Sequence, residues 1–379
     1  MPPFRAHLDV LCHYHDDYVS DSVEPLCGVG NEEGTMLWKV NGRRGAFCLR
    51  RWAKNALTLD QLQFMHAVLW HAEQEGFDRF PLPVETLEGM SYVAENGNFW
   101  QLEPWMEGKP MLNGRHAESK IISAMVSLAE FHNAAAKFPL PQAEGISPLL
   151  LSHEKTILEW DESRLDMLER RIRVQGLPPL VPRQRVFFVS DLSDSAGLET
   201  NAARPIGNSV TISYEAHTLT PSTLEVRLAT TALHILAAIR RRRKSVLSQI
   251  VRCSNYSLPL VPCIYDFRLK NLFFSKKYFK GFLDFGAIGI DTPAVDVARL
   301  LENLTENYSI SWVLGLSAYQ SVRRLSAEEL DALNVSRRSY TMTSALRWLN
   351  YMFVQNNPVK CSMRLYRRLE QLVERMENI

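Results

Sequence analysis

Three side chains constrain this chain more than any others. Asn271 follows Asp266 by five residues, and Asp284 follows Asn271 by thirteen, opening the triplet Asp284-Phe285-Gly286. Val261 to Tyr265 is short and apolar, with Pro259 and Pro262 about its start, so it reads as a strand that releases the chain into a loop at Asp266. Leu272 to Ser275 and Phe279 to Leu283 are apolar or aromatic runs on either side of Lys276-Lys277, the pattern of a hairpin. Such a hairpin brings Asn271, entering one strand, beside Asp284, leaving the next. An amide oxygen and a carboxylate suit a hard divalent cation. With a further carboxylate at Asp266 to orient a hydroxyl, the set implies phosphoryl-transfer chemistry. Taken singly, each residue reads equally well as a turn former bonded to its own backbone. Three together at this spacing, flanked by strands, favour a metal-nucleotide site.

Composition narrows the class. The 379 residues give room for two lobes, and 46% apolar with 22% charged content is ordinary for a globular chain. A net charge of +1 offers nothing to nucleic acid or an acidic surface. The six cysteines have no C-x-x-C spacing, so they read as small buried hydrophobes of a reducing compartment, not a zinc site or disulfide framework. The polar N-terminus carries no signal-peptide hydrophobic region, and no stretch approaches the roughly 18 apolar residues of a membrane span. A cytoplasmic location is expected, with oligomeric state open.

The stretches Asp266-Phe267-Arg268-Leu269-Lys270-Asn271-Leu272-Phe273-Phe274, Gly281-Phe282-Leu283-Asp284-Phe285-Gly286 and Asp296-Val297-Ala298 resemble a superfamily's HGDxxxxN loop, IDFG strand end and DLA helix start. That superfamily is the aminoglycoside phosphotransferase and choline kinase-like one, which includes homoserine and fructosamine kinases. The resemblance extends more weakly over nearly the whole chain, except about 175–222. It implies an α+β, bilobal protein kinase-like fold, with a small antiparallel-sheet N-lobe over 1–103 and a mainly helical C-lobe over 104–379. It also implies ATP and Mg²⁺ as cofactors and a small-molecule hydroxyl acceptor as partner. Asn271 and Asp284 would hold the metal. Asp266 would accept a hydrogen bond from the acceptor hydroxyl, and Arg268 or Lys270 would stabilise transferred negative charge. A protein kinase would follow its DFG with an activation loop and an Ala-Pro-Glu signal. Here an apolar helix opens at Pro293 instead.

The first hundred residues fit an N-lobe. Strands are expected over Glu24 to Val29, Thr35 to Val40 and Ala46 to Arg51. Gly28 to Gly34 forms the first turn, equally a phosphate-covering loop or a plain hairpin, and Asn41-Gly42 is a two-residue hairpin signal. Arg50 falls where the superfamily's phosphate-binding Lys is expected; it can pair with phosphate bidentately. Thr58 and Gln61 form a capping box for a helix with Leu62, Met65, Leu69 and Ala72 on one face, ending at Gly76. In the superfamily this helix carries a Glu partner for the Lys; here the matching positions hold Gln63 and His66. His66 is a candidate replacement, with a surface or core-edge histidine as the plainer reading. Strands over Leu82 to Thr86, Tyr92 to Glu95 and Phe99 to Leu102 complete the sheet. Gln101 to Gly108 resembles the adenine-contacting hinge, which makes Glu103 and Trp105 nucleotide-site candidates.

The remainder reads as mainly helical. Ile121, Met125, Leu128, Ala129 and His132 share a stripe, with His132 structural. A helix is expected over Ser152 to Val174, followed by an irregular insertion over about 176–222, read as flexible from about 190 and placed near the acceptor as a lid. Arg240 to Lys244, in a helix over Thr223 to Cys253, are five consecutive basic residues, either a solvated face or a surface for an acidic partner. Helices over Ser344 to Val354 and Lys360 to Met376 follow an N-terminal signal at Ser326 and Glu329. Trp312, Tyr319, Trp348 and Tyr351 are pocket or core aromatics. Three supporting positions depart from the superfamily: Ile264 for the loop His, Arg50 for Lys, and the absent helix Glu. Ile264 is expected to hold the loop by packing alone. The alternative reading is a pseudokinase-like nucleotide- or partner-binding protein without turnover.

Overall fold

Alternation along β2 (Met36–Gly42) and β3 (Gly45–Arg51) decides the first half of the molecule. Side chains of a strand point to opposite faces in turn. Trp38, Val40, Phe47 and Leu49 share one face, where they pack with Val10, Leu11 and Tyr14 around α1 (Ala6–Leu11). The other face carries Cys48, Arg50 and Trp52. In this computed structural model, which describes residues 6–19, 22–26, 34–111, 117–175, 221–305, 309–355 and 363–377, the two strands belong to a five-stranded antiparallel sheet. Its order is β1-β2-β3-β5-β4, with β1 at Val23–Pro25, β4 at Val93–Glu95 and β5 at Asn98–Pro104. The helix α2 (Leu59–Gln74) lies between β3 and β4 in sequence, and Thr58 and Gln61 cap it reciprocally as their spacing predicts.

Two local expectations are corrected. Asn41-Gly42 is not the hairpin turn: Gly42 pairs with Gly45, and the chain reverses through Arg43-Arg44. Gly42 answers a different need, since a Cβ there would come within 2.7 Å of the Asp17 and Tyr18 backbone. Leu82 to Thr86 is not a strand. Pro81 and Pro83 have no N–H to give a ladder, and Val84 supplies a single bond to the Leu102 carbonyl, at 2.7 Å. The Gly28 to Gly34 turn, but for Gly34, lies outside the described residues.

After β6 (Lys109–Pro110) the chain is mostly helical. α3 (Glu118–Ala135) buries Ile121, Met125, Leu128, Ala129 and His132, the stripe read from the sequence. Beyond β7 (Glu144–Gly145), the helix expected over Ser152 to Val174 is two helices, α4 (Pro148–Glu159) and α5 (Glu162–Gln175). Asp161 interrupts them by accepting the Arg164 N–H at 2.8 Å, a side-chain cap that competes with helix continuation. The insertion over about 176–222, apart from its last two residues, lies outside the described residues.

α6 (Pro221–Cys253) carries the basic run, and its plainer reading holds. Arg240 pairs with Glu162, Asp166 and Glu169, Arg241 with Glu377, while Arg242 and Arg243 donate to the Glu377 and Ile157 carbonyls. Short strands follow. β8 (Leu258–Pro259) pairs with β7, and β9 (Val261–Cys263) pairs with β12 (Gly289–Asp291). The expected hairpin is present as β10 (Leu272–Ser275) and β11 (Tyr278–Phe282), reversing at Lys276-Lys277. Next come α7 (Pro293–Thr305), α8 (Ser309–Gln320) and α9 (Ala327–Leu349), capped by Ser326 and Glu329 as expected. α9 passes into a π-helical turn over Asn350–Val354, and α10 (Met363–Glu377) ends the described chain. Trp348 is buried, and Trp312 lies under the Arg337 guanidinium. The expected α+β class therefore holds: an antiparallel N-terminal sheet and a mainly helical remainder.

Among the described residues, 6–151 with 252–337 form one compact unit, and 152–175, 221–251 and 338–377 form another. Every candidate site residue belongs to the first.

Candidate active site

The loop from Ile264 to Asn271 hangs from one carboxylate. Asp296, in the first turn of α7, accepts the Ile264 N–H at 2.6 Å and the Tyr265 N–H at 2.9 Å, one on each oxygen. His132 of α3 adds its Nε2 at 3.2 Å and turns its Nδ1 to the Tyr319 hydroxyl at 2.8 Å. All three side chains are buried, and burial lowers the His132 pKa. The expectation that Ile264 holds the loop by packing alone is therefore overturned. A histidine does support the loop, but it comes from another helix and acts through Asp296. Cys263 brings its sulfur within 4.8 Å of the His132 and Asp296 donor atoms. The oxygens of Asp296 take the loop amides and the Cys263 thiol donates to the Asp291 carbonyl, so Asp296 and His132 work as an anchor.

Tyr265 takes the place of the glycine in the motif and keeps a left-handed backbone, at φ 61°. That region is unfavourable for a bulky side chain. Its hydroxyl donates to Asp291 at 2.8 Å, and its ring lies against Gly289, where an added Cβ would stand 2.7 Å from a ring carbon. Asp291 is fully buried, and burial raises its pKa against the bonds from Ser147, Leu149, Thr292 and Tyr265.

Asp266 comes next. Its N–H donates to the Ile264 carbonyl at 2.7 Å, and its carboxylate is 2.9 Å from Nε of Arg268. Asn303 of α7 donates to the Phe267 carbonyl, fixing the middle of the loop. One 3₁₀ turn over Leu269–Asn271 then delivers Asn271 to the hairpin. The Asn271 carbonyl accepts the Leu283 N–H at 2.9 Å, so Asn271 and Asp284 enter and leave the hairpin side by side. Asn271 is buried, yet its amide nitrogen has no hydrogen-bond partner among the described residues. The unpartnered nitrogen argues against a turn former bonded back to its own backbone, and an amide oxygen in a hairpin that Asp284 leaves is of the kind a hard divalent cation takes.

Asp284 has a left-handed backbone, φ 68°, and its carboxylate accepts from Arg50 at 3.3 Å. Phe285 is buried, with ring centroids 5.6 Å from Phe80 and 6.4 Å from Phe131. Gly286 lies under Trp52; a Cβ there would meet the indole at 2.9 Å.

On the sheet face opposite α1, Arg50 is opposite Gln101 and Cys48 is opposite Glu103 in the β3–β5 register. The Arg50 guanidinium bridges Glu103, at 3.4 Å, and Asp284, and lies 4.8 Å from the Trp52 ring centre. Burial works to lower the Arg50 pKa, but the two carboxylates outweigh it and hold it above its ordinary value. Cys48 beside them is pushed up to about 12, by burial first and by Glu103 second, and remains a thiol.

A polar chain continues from Glu103. Gln101 donates to it at 2.8 Å and accepts the Trp52 indole N–H at 2.9 Å. His66 of α2 lies 3.2 Å from the same Gln101 oxygen and 2.8 Å from the Ser91 hydroxyl. Burial lowers the His66 pKa to about 4, against the Gln101 bond, so the ring is neutral at pH 7. The plainer expectation of a surface or core-edge histidine is corrected, since His66 is fully enclosed.

The structure thus gathers Arg50, Glu103, Asp284 and Asn271, with Asp266 and Arg268 joined to one another. Trp105 stands apart: it is 38% exposed, its ring faces Lys39 at 5.2 Å, and its backbone N–H donates to the Ala46 carbonyl. Sequence reasoning missed Trp52 and Gln101. Their signal was the strand period alone, which puts both on the Arg50 face.

The model of the phosphotransferase enzyme family matches residues 207–332. No curated sequence matches the chain. Among solved structures, an aminoglycoside phosphotransferase from Alicyclobacillus acidocaldarius is similar at 15% identity and a TM-score of 0.59, covering 100% of this chain and 95% of its own. An amicoumacin kinase in complex with AMP-PNP, Ca²⁺ and Ami is 10% identical at a TM-score of 0.59, covering 99% and 94%. A microcompartment-associated aminopropanol kinase is 12% identical at 0.58, covering 97% and 94%. The fold read from the sequence is borne out, and the match over residues 207–332 is to a family of the kind its motifs resemble.

Proposed function

We propose that this chain, which carries the phosphotransferase enzyme family match over residues 207–332 and the fold of solved phosphotransferases along its length, moves the γ-phosphoryl group of ATP to a hydroxyl of a small molecule. The observation that carries this is the meeting of Arg50 with Asp284, 234 residues apart in sequence and 3.3 Å apart in space, at the hairpin that Asn271 enters.

Asn271 and Asp284 would hold Mg²⁺, which when bound neutralises charge on the phosphate oxygens. Arg50 offers its guanidinium to the phosphates, a fork that suits them bidentately. Asp266 accepts a hydrogen bond from the acceptor hydroxyl and keeps it in line, and Arg268 balances negative charge beside it. The adenine is assigned near Glu103 to Met106. The amino-alcohol and aminoglycoside kinases of the same fold support an acceptor that bears a hydroxyl and an amine. No helix among the described residues is long and apolar enough to cross a membrane, and Cys12, Cys48, Cys253 and Cys263 are all free thiols, which supports a reducing, cytoplasmic setting.

The test is calorimetric titration of Mg·ATP into the wild type and Asp284→Ala, followed by phosphate transfer against pooled amino sugars, amino alcohols and peptides. Metal-dependent binding lost in the variant, with transfer to a small hydroxyl compound, is the expected result. The second reading, a nucleotide-binding protein without turnover, draws on the clasp of Arg268 on Asp266. It would give the same binding with no transfer to any acceptor.

A further inference from the structure

A buried arginine needs a permanent counter-charge, and Arg50 has two carboxylates of different character. Glu103 is as enclosed as Arg50 itself, with side chains 8% and 9% exposed, whereas Asp284 is 31% exposed. Asp284 is also the carboxylate assigned to the metal. A cation drawing on Asp284 weakens its hold on Arg50, whereas Glu103 has no competing partner of that strength. The geometry points to Glu103 as the positioning counter-ion of Arg50, holding the guanidinium at the phosphates when Asp284 turns to metal. This inference rests on the phosphotransferase reading above.

Three observations support a built role for Glu103. Its carboxylate is not left to find its own place, because Gln101 fixes the second oxygen at 2.8 Å and is itself fixed by Trp52 and His66. The pair joins two directly hydrogen-bonded strands, with Cys48 opposite Glu103 in the register, so its geometry is set by the β3–β5 ladder. Finally, α2 brings no carboxylate to this place, only a neutral His66 behind Gln101. In protein kinases the corresponding cation pairs with a helix-borne Glu, and moving that helix breaks the pair. Here the carboxylate has moved from helix to strand, and a shift of α2 would leave the pair standing.

Without Glu103, Arg50 has Asp284 alone and would close on it as a bidentate fork. Arginine and metal would then compete for the same oxygens. Losing the buried partner is therefore expected to weaken both Mg·ATP affinity and the apparent affinity for Mg²⁺.

The experiment is a double-mutant cycle on the full chain, reading Mg·ATP binding by calorimetry at a series of Mg²⁺ concentrations. Glu103→Gln, which keeps shape and removes charge, should weaken Mg·ATP binding by at least about tenfold and shift the Mg²⁺ requirement upward. Glu103→Asp should recover part of the loss. In an Arg50→Met background, Glu103→Gln should have no further effect, because its action runs through the guanidinium. Circular dichroism confirms that each variant is folded, and Glu103→Asp stands in should Glu103→Gln fail to fold. Unchanged binding in Glu103→Gln overturns the inference, as does the same loss with or without Arg50. In either case wild-type binding and its loss in Asp284→Ala leave the phosphotransferase reading intact. No Mg·ATP binding by the wild type overturns both.

Discussion

Arg268 Nε stands 2.9 Å from the carboxylate of Asp266, two residues away along one loop. The pair makes separable demands on catalysis. Asp266→Asn keeps an oxygen that can accept from the hydroxyl but removes the negative charge that draws its proton, and should lower turnover about a hundredfold or more, with Mg·ATP affinity nearly unchanged. Arg268→Ala frees Asp266 from its clasp and should lower turnover less, by about tenfold, through loss of positioning. Steady-state kinetics beside calorimetric binding separates the two, and a large loss of Mg·ATP affinity in Asp266→Asn would contradict the assignment.

Metal dependence should follow the hairpin. Asn271→Leu removes the amide oxygen offered beside Asp284, and should raise the Mg²⁺ concentration needed for nucleotide binding by about tenfold or more. Titrating EDTA against wild-type protein with bound nucleotide should release the nucleotide. Retention after full chelation would place the phosphate grip on Arg50 alone.

The loop anchor is a stability element as well as a positioning one. Asp296→Ala strips the partner from one buried and one part-buried backbone N–H, at about 1–3 kcal/mol each. A loss of roughly 2–5 kcal/mol in urea denaturation is expected, with turnover falling even where the protein stays folded. A loss under about 0.5 kcal/mol, the range of an ordinary surface change, would mean that the amides find other partners.

His66 sets a pH window. Its folded pKa is lowered to about 4, below its ordinary 6.5, so the unfolded chain binds more protons between those values. The stability it contributes is fully present above about pH 6.5 and falls away as pH drops towards 4. His132, lowered by burial too, acts in the same sense. Replacing His66 with Gln should flatten the decline in melting temperature between pH 6.5 and 4, measured by calorimetry at matched ionic strength. An unchanged slope would show that folded His66 takes up its proton at the ordinary value, as the unfolded chain does.

Gly286→Ala tests the contact beneath Trp52. The new Cβ would stand 2.9 Å from an indole held in place by Gln101, so something must shift. Destabilisation of about 1–3 kcal/mol is expected, together with weaker nucleotide binding as Asp284 and Arg50 move with the ring. Thermal melts and calorimetry on one preparation read both.

The hairpin and its turn, with Asn271 entering and Asp284 leaving it, were legible because apolar runs bracketed polar residues at a fixed spacing. The caps of α2 and α9 were legible because a reciprocal pair three residues apart is a local device. Misread features depended on distant parts of the chain. Asn41-Gly42 carries a strong turn signal, but the close approach of Asp17 and Tyr18 claims Gly42 for the strand. His66 read as a surface or core-edge residue because a helical stripe cannot show that Gln101 and Ser91 meet its ring. Ile264 looked like a loss, since its backbone N–H, and not its side chain, makes the bond to Asp296. Main-chain donors are the same for every residue but proline, and no side-chain pattern reveals which are used.

The fit of Tyr265 against Gly289 couples two places that a motif search treats as unrelated. An aromatic ring at the second loop position needs the space that only a missing side chain three residues past Asp284-Phe285-Gly286 provides. The two positions should therefore change together. A relative with glycine at the loop is free to carry a side chain at the later position, and one with a ring at the loop is not. Exchanging the pair, Tyr265→Gly with Gly289→Val, should be tolerated far better than Gly289→Val alone. The same pairing would mark, in sequence data, the lineages that remade this loop and kept it folded.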